Sequence, residues 1–115
     1  MHMVKIETIK EDGYQLIEVH GEIDASSSIE LDDALKNAAE SASQILIDLS
    51  GLEYISSAGL GVFISYLEEL KKNEVKLVIF GLNDKVLEVF EILGLQHLMN
   101  IKDNKQNAFN FLNEA

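Results

Sequence analysis

The sequence predicts a single α/β domain over residues 1–115: a mixed, mainly parallel sheet of about four to five strands with about four helices, an opening β-hairpin followed by βαβαβα. Three observations predict it. Ile45 to Leu49 and Val75 to Phe80 are short, nearly continuous apolar runs, as expected of strands covered on both faces. The segments around them carry apolar residues at helical spacing. Glu11-Asp12-Gly13 supplies a hairpin turn of the Asp-Gly kind between two strand-like segments.

The first strand rests on Val4, Ile6 and Thr8, which alternate with Lys5 and Glu7 and read as an edge with one wet face. Tyr14 to Val19 reads as the second strand, ending at Gly21. From Ala25 the pattern turns helical, with Leu31, Ala34, Leu35, Ala38 and Ala42 on one face and serines 26 to 28 as cap candidates. After the strand at Ile45 to Leu49, the apolar residues Leu60, Phe63, Ile64, Leu67 and Leu70 mark a second helix, closed by Lys71, Lys72 and Asn73. Val75 to Phe80 is the next strand. Asn83 or Asp84 caps a third helix that Gly94 terminates. A short strand near Leu98 to Ile101 and a final helix from Asn104 to Asn113, docking Ala108, Phe109 and Leu112, complete the order.

Composition bounds the function. A chain of 115 residues fits one domain, and 47% hydrophobic residues suffice for a core without staples. There is no cysteine, which excludes disulfides, thiolate metal sites and thiol nucleophiles. The N-terminus lacks an apolar leader and no run approaches the ~18 residues of a membrane span, so the chain is expected to be cytoplasmic, unprocessed and off the membrane. Its net charge of −11 argues against nucleic acid, whose phosphates call for clustered Lys and Arg, and suits solubility or complementarity to a basic protein surface.

The most informative stretch is Ile45 to Phe63, a buried strand, a run of serine and glycine, then an amphipathic helix. Ser56 and Ser57 stand where a helix needs a capping oxygen, while Ala58, Gly59 and Gly61 leave little side chain to keep a partner away. In a parallel sheet, the loops leaving the carboxyl ends of strands share a rim. Gly21 to Asp24 and Ser50 to Ser57 therefore become neighbours if the second and third strands pair. Asp24 either caps the first helix or shapes the surroundings of Ser57. Asp48 is expected near the end of its strand, bonding loop amides, and His20 is expected as a rim histidine.

Enzyme chemistry finds little support. Neither G-x-x-x-x-G-K-[ST] nor G-x-G-x-x-G occurs, so a nucleotide enzyme lacks its phosphate cradle. Ile55-Ser-Ser-Ala-Gly59 is not G-x-S-x-G, and His20 precedes the serine. His2, His20 and His97 are isolated, so no metal and no cofactor is expected. What remains is chemistry done to this protein. A phosphate at a helix start adds roughly −1.5 to −2 charges, which the helix amides and dipole favour by about 0.3–1 kcal/mol. A partner docked flat on the small residues would instead have to bury that dianion, at several kcal/mol. Binding is switched while the fold survives.

Ile47-Asp-Leu-Ser-Gly-Leu-Glu-Tyr-Ile-Ser-Ser-Ala-Gly-Leu-Gly-Val-Phe63 closely resembles the signature of the bacterial anti-sigma factor antagonists, the STAS domain family. Val19-His-Gly-Glu-Ile-Asp24 resembles that family's other landmark, a strand followed by Gly-Glu-Leu-Asp, and the likeness covers nearly the whole chain. The resemblance implies a non-enzymatic domain that sequesters an anti-sigma factor, often itself a serine kinase with an ATPase-type fold, so freeing sigma. The kinase phosphorylates the antagonist and releases it; a phosphatase restores it. Gly59-Leu60-Gly61 aligned on the family's Gly-Leu-Gly puts Ser57 on the phosphorylated serine. Ser56, standing where Asp is usual, becomes a competing acceptor. Asp24, Ser26, Ser56, Ser57, Ala58, Gly59, Leu60 and Gly61 form the implied partner surface. The alternative is an unphosphorylated STAS scaffold subunit of a signalling or transport complex.

Overall fold

The computed structural model describes residues 4–11 and 13–114. Its elements run β1 (Val4–Glu11), β2 (Tyr14–Ile23), α1 (Ser28–Ser41), β3 (Gln44–Ile55), α2 (Ser57–Lys72), β4 (Lys76–Phe80), α3 (Asp84–Ile92), a 3-10 turn (Leu95–His97), β5 (Asn100–Lys102) and α4 (Lys105–Leu112). The five strands lie in the order β1-β2-β3-β4-β5. β1 is antiparallel to β2, and every later pairing is parallel. The single α/β domain with an opening hairpin is as expected. Of the hairpin turn, Asp12 lies outside the described residues, while Gly13 takes φ +89, the left-handed region open to glycine.

Helices cover the sheet unequally. Ile17, Val19, Ile45, Ile47, Leu49 and Ile79 pack beneath α1, α2 and α3 together with Leu31, Leu35, Leu60, Phe63 and Phe90. Alternate strand residues point to the opposite side, where Leu16, Leu46, Val78 and Phe80 meet Ala108 and Leu112 of α4. Phe109 is not docked as expected; it stays 36% exposed and meets Tyr14 edge-on at 5.5 Å. The carbonyls at the end of α4 are held by Lys76 Nζ, which donates to Phe111 at 2.7 Å, and Gln44 Nε2, which donates to Leu112 at 2.9 Å.

Two strands run further than apolar patterning implies. β2 continues past Gly21 to Ile23, and β3 continues past Leu49 to Ile55, so residues 50–55 are strand and not loop. The register explains it. Glu18 pairs with Asp48 but His20 with Gly51, and Gly21 pairs with Leu52 but Glu22 with Tyr54, so β3 holds an extra residue at each shift. Such bulges break the two-residue alternation on which strand reading depends. Gly21, at φ +96, passes through a bulge and does not end the strand. At Gly51 a Cβ would overlap the His20 imidazole, which takes the space that a side chain would fill.

α2 ends in a Schellman turn: Val75 N–H donates to Leu70 C=O at 2.8 Å and Glu74 N–H to Lys71 C=O at 3.1 Å. The residue in the left-handed position is Glu74, at φ 58, where glycine is usual. Replacing Glu74 by Gly should therefore stabilise the domain by about 1 kcal/mol in urea unfolding at unchanged m. No gain would mean that the Glu74 side chain stabilises the turn in some other way.

Candidate functional site

The end of β2 and the end of β3 meet side by side. Ile23 and Ile55 are register partners, and Ser56 N–H donates to the Ile23 carbonyl at 2.8 Å, tying the entrance of α2 to the last residue of β2. Asp24 and Ser56 thus leave adjacent strands at one level. The neighbourhood conditional on strand order is real. A third loop closes the rim from the β4 side: Asn83 Nδ2 donates to the Leu52 carbonyl at 3.1 Å, while Asn83 Oδ1 accepts from Val86 N–H at 2.8 Å to cap α3. Gly81, φ +82, lies against Ser50, with room for a Cβ only at 3.0 Å from the Ser50 Cβ. The Gly81 to Asn83 loop belongs to the rim, though sequence reading assigned it only a helix cap.

Asp24 resolves as a cap. Its Oδ1 accepts from Ser26 Oγ at 2.7 Å, Ser26 N–H at 2.9 Å, Ser27 N–H at 2.9 Å and Ser27 Oγ at 3.0 Å. Ser27 Oγ in turn accepts from Asp24 N–H at 2.8 Å, a reciprocal exchange of capping-box form that starts the helical turn leading into α1. Ser27, at the formal N-cap of α1, makes no side-chain cap bond, so capping passes to the aspartate and not to serines 26 to 28. The Ser26 hydroxyl first, then the Ser27 amide, hold the Asp24 carboxyl down at about 2. Asp24 therefore adds a fixed negative charge to the rim at any physiological pH.

At α2 the two serines divide the work. Ser56 is the N-cap, its Oγ accepting from Gly59 N–H at 3.3 Å. Ser57 is the first helical residue and is exposed. Of the residues expected to face a partner, Ser26, Ser57 and Gly61 are exposed, and Asp24, Ser56 and Ala58 are half-buried. Gly59 and Leu60 are a correction, because both are buried. A Cβ at Gly59 would sit 2.7 Å from Ile23 Cγ2 and 2.7 Å from Ile55 Cγ1, so this glycine lets α2 press onto the strand ends and offers nothing to a partner. Leu60, at 3% exposure, is core. Gly61 is the opposite case: nothing lies within 4 Å of where its Cβ would be. A helical glycine costs about 1 kcal/mol relative to alanine, and no contact inside the domain requires this one.

Apolar side chains flank these positions where sequence reading saw core or nothing. Ile64, two helical turns beyond Ser57, is 45% exposed, and Ile29 in the first turn of α1 is 65% exposed. Tyr66, by contrast, is buried between α1 and α2, its hydroxyl donating to the Asp32 carbonyl at 3.3 Å. Burial pushes its phenol up to about 12. Asp48 bonds an amide as expected, but within β3: its Oδ1 accepts from Ser50 N–H at 2.8 Å and Ser50 Oγ at 2.6 Å. His20 sits over Gly51, His97 lies in the 3-10 turn, and His2 is outside the described residues. Among the described residues no group of three or more His, Cys, Asp or Glu is arranged to hold a metal ion.

The model of the STAS domain matches residues 5–108. The chain belongs to the STAS domain family. A curated relative, the anti-sigma-B factor antagonist of Staphylococcus aureus (strain NCTC 8325 / PS 47), is 32% identical over 90% of this chain and 96% of its own length. That of Staphylococcus epidermidis is 31% identical over the same shares. Two solved structures share the STAS fold. An anti-sigma factor antagonist from Mycobacterium paratuberculosis superposes with TM-score 0.89 at 23% identity, covering 97% of this chain and 96% of that one. The unphosphorylated anti-sigma factor antagonist SpoIIAA gives TM-score 0.74 at 16% identity, over 98% and 100%.

The division of labour between the serines has a measurable consequence. Ser56→Ala should cost about 1 kcal/mol in denaturant unfolding, whereas Ser57→Ala should change stability by less than about 0.5 kcal/mol. Equal costs would assign Ser57 a share of the cap. Asp24 makes a separate pH prediction. A carboxyl held below its ordinary value of 3.8 contributes stability that is complete above about pH 4 and lost as pH falls through about 2. Carbon-detected NMR should place its midpoint near 2, with exchange protection of the Ser27 amide falling over the same interval.

Proposed function

We propose that this STAS protein is an anti-sigma factor antagonist that binds an anti-sigma factor serine kinase through the α2 rim and is released when that kinase phosphorylates Ser57. The observation carrying this reading is the pairing of an exposed Ser57, free of the capping duty that Ser56 performs, with an open Gly61 one turn further along the same helix. The hydroxyl is reachable and its loss leaves the helix capped. The bare helix surface at Gly61 admits a partner's side chains, and Ser26, Ala58 and Ile64 extend the contact.

The direction of the switch follows from charge. A phosphate on Ser57 stands at the amide end of α2, where helix dipole and free N–H groups favour it. The same dianion lies near the ionised Asp24 in a chain of net charge −11, so a partner covering the rim would have to desolvate clustered negative charge. The fold keeps the modification and the complex does not. The names of the curated relatives support an anti-sigma factor as partner. SpoIIAA, which shares the fold, is known in a phosphorylated as well as an unphosphorylated form. Ser56 is the secondary acceptor, disfavoured because its oxygen already serves Gly59.

The protein acts as a binding partner and not a catalyst, needs no cofactor, works in the cytoplasm and is restored by a phosphoserine phosphatase. Among the described residues, no helix is long and apolar enough to cross a membrane. Residues 1–115 are read as one antagonist domain.

Titration against the anti-sigma factor encoded with this gene tests the reading. Ser57→Ala should bind within about threefold of the parent and take up no phosphate from ATP, while Ser57→Asp should bind at least about tenfold more weakly, a loss on the order of 1.4 kcal/mol. Tight binding by Ser57→Asp, or phosphate mapped elsewhere, would sink the mechanism and leave the scaffold role standing. Gly61→Ala should separate the two uses of α2. It is expected to stabilise the fold by up to about 1 kcal/mol while weakening the complex.

A further inference from the structure

We propose that the outer edge of β1 is an interaction surface whose occupant is β1 of a second copy of this chain, added antiparallel about a two-fold axis through Thr8. β1 is one edge of the sheet and has eight residues, whereas β5, the other edge, has three. The ladder with β2 fixes which backbone groups of β1 are free. Glu11 and Tyr14 are register partners with two residues between them, so they form a hydrogen-bonded pair, and in an unbroken antiparallel register Ile9, Glu7 and Lys5 do the same. Ile6, Thr8 and Lys10 therefore turn amide and carbonyl away from β2. Among the described residues no hydrogen bond takes up these outward groups.

An open strand of this length is a template for another strand, and proteins blunt such edges with brevity, proline, bulges or charge. β1 has no proline and no bulge. Its charges, Lys5, Glu7, Lys10 and Glu11, sum to zero in a chain of −11, so this edge escapes the general repulsion between copies and favours neither a basic nor an acidic stranger. Its own image fits it. A two-fold pairing that bonds the outward groups to one another is centred on a single residue, which leaves few registers. Centred on Thr8, it sets Lys5 opposite Glu11 on both sides of the axis, Ile6 opposite Lys10 and Glu7 opposite Ile9. Centred on Glu7 it opposes two Glu7 carboxylates, centred on Ile9 it opposes Glu7 to Glu11, and centred on Ile6 it pairs only residues 4–8 of the described strand. Behind β1, β2 adds one carboxylate, Glu18 beside Glu7, and Lys5 already meets Glu7 at 3.0 Å within its own strand. In the dimer Lys5 stands between that Glu7 and Glu11 of the other copy.

The pairing adds about six backbone hydrogen bonds, two for each hydrogen-bonded pair of outward residues, and joins the sheets of the two copies into one. It covers little besides the strand edge, short of the ~1,200–2,000 Å² of standard interfaces, so the dimer is weak and its dissociation constant is on the order of 100 µM. β2 lies between β1 and the strand that leads into α2, so the α2 rim takes no part in the contact.

Sedimentation equilibrium of the full chain from about 10 µM to about 1 mM brackets that constant. The parent should pass from monomer towards dimer, and the amides of Ile6, Thr8 and Lys10 should gain exchange protection as concentration rises, while those of Glu7 and Ile9, bonded within the copy, stay unchanged. In a mixture of ¹³C-labelled and unlabelled protein, filtered NOE spectra should join Glu7 Hα of one copy to Ile9 Hα of the other, a close non-hydrogen-bonded pair in this register. Thr8→Lys, at an exposed position, sets two lysines face to face at the axis and should weaken dimerisation at least about tenfold. Glu11→Lys should also weaken it, and Lys5→Glu added to Glu11→Lys should restore most of the loss. A parent that stays monomeric at about 1 mM overturns the proposal, as does a dimer indifferent to Thr8→Lys, one that leaves the outward amides unprotected, or one without the Glu7 to Ile9 contact. These outcomes are independent of any kinase and leave the Ser57 reading untouched.

Discussion

The site depends on the parallel pairing of β2 with β3, carried through two bulges until Ile23 lies beside Ile55. That pairing ends in one hydrogen bond, Ser56 N–H to the Ile23 carbonyl, which joins the start of α2 to the strand that leads into α1. Every rim feature follows from it. Gly59 can approach both isoleucines only because it lacks a Cβ, and the approach turns the next exposed positions, Ser57 and Gly61, outward. Further down the same pairing, Gly51 leaves room for the His20 ring, which a Cβ there would displace.

The rim is thus tied together by backbone and cap hydrogen bonds and sparse in side chain, a combination suited to the proposed docking of another protein. Ser56 and Asp24 satisfy the helix starts, which leaves Ser57 available for chemistry without loss of a cap. A domain in which the modified serine was also the cap would couple every switching event to its own stability. Here the cap rests on Ser56, so a switch at Ser57, as proposed, would leave it intact. α2 serves both ends: its first turn presents the exposed Ser57, and its last turn, closed by Glu74 in a left-handed conformation, frames a groove at the opposite end.

Much of the fold was legible because it rests on local periodicity. The apolar face of α1, the closing lysines of α2, the Asn83 cap, Gly94 in the left-handed position after α3 and the Asn104 cap of α4 all follow from residue type and spacing. The strand ends were not legible. The bulges shift residues between faces, so Ser50 to Ile55 loses the alternation that marks a strand, and Gly21 reads as a stop when it is a bend. Site residues divided along the same line. Ser57 and Ser56 stand out by chemistry and position, but whether a given glycine makes room for the domain's own core or for another molecule is a question about atoms distant in sequence.

By itself the sequence determined the class of fold, the acidic surface, the absence of thiol chemistry and the placing of two hydroxyls before an amphipathic helix, because each is a property of residue type and near-neighbour order. Only the tertiary structure decided which serine caps and which is exposed, that Asp24 spends its carboxylate on the turn before α1, that Gly59 and Leu60 are interior while Gly61 is bare, and that Ile92, Leu93 and Leu98 are left without cover. The physical reason is that burial and hydrogen-bond partnership are set by contacts between segments. β2, β3 and α2 acquire those contacts only when the sheet has closed around its bulges.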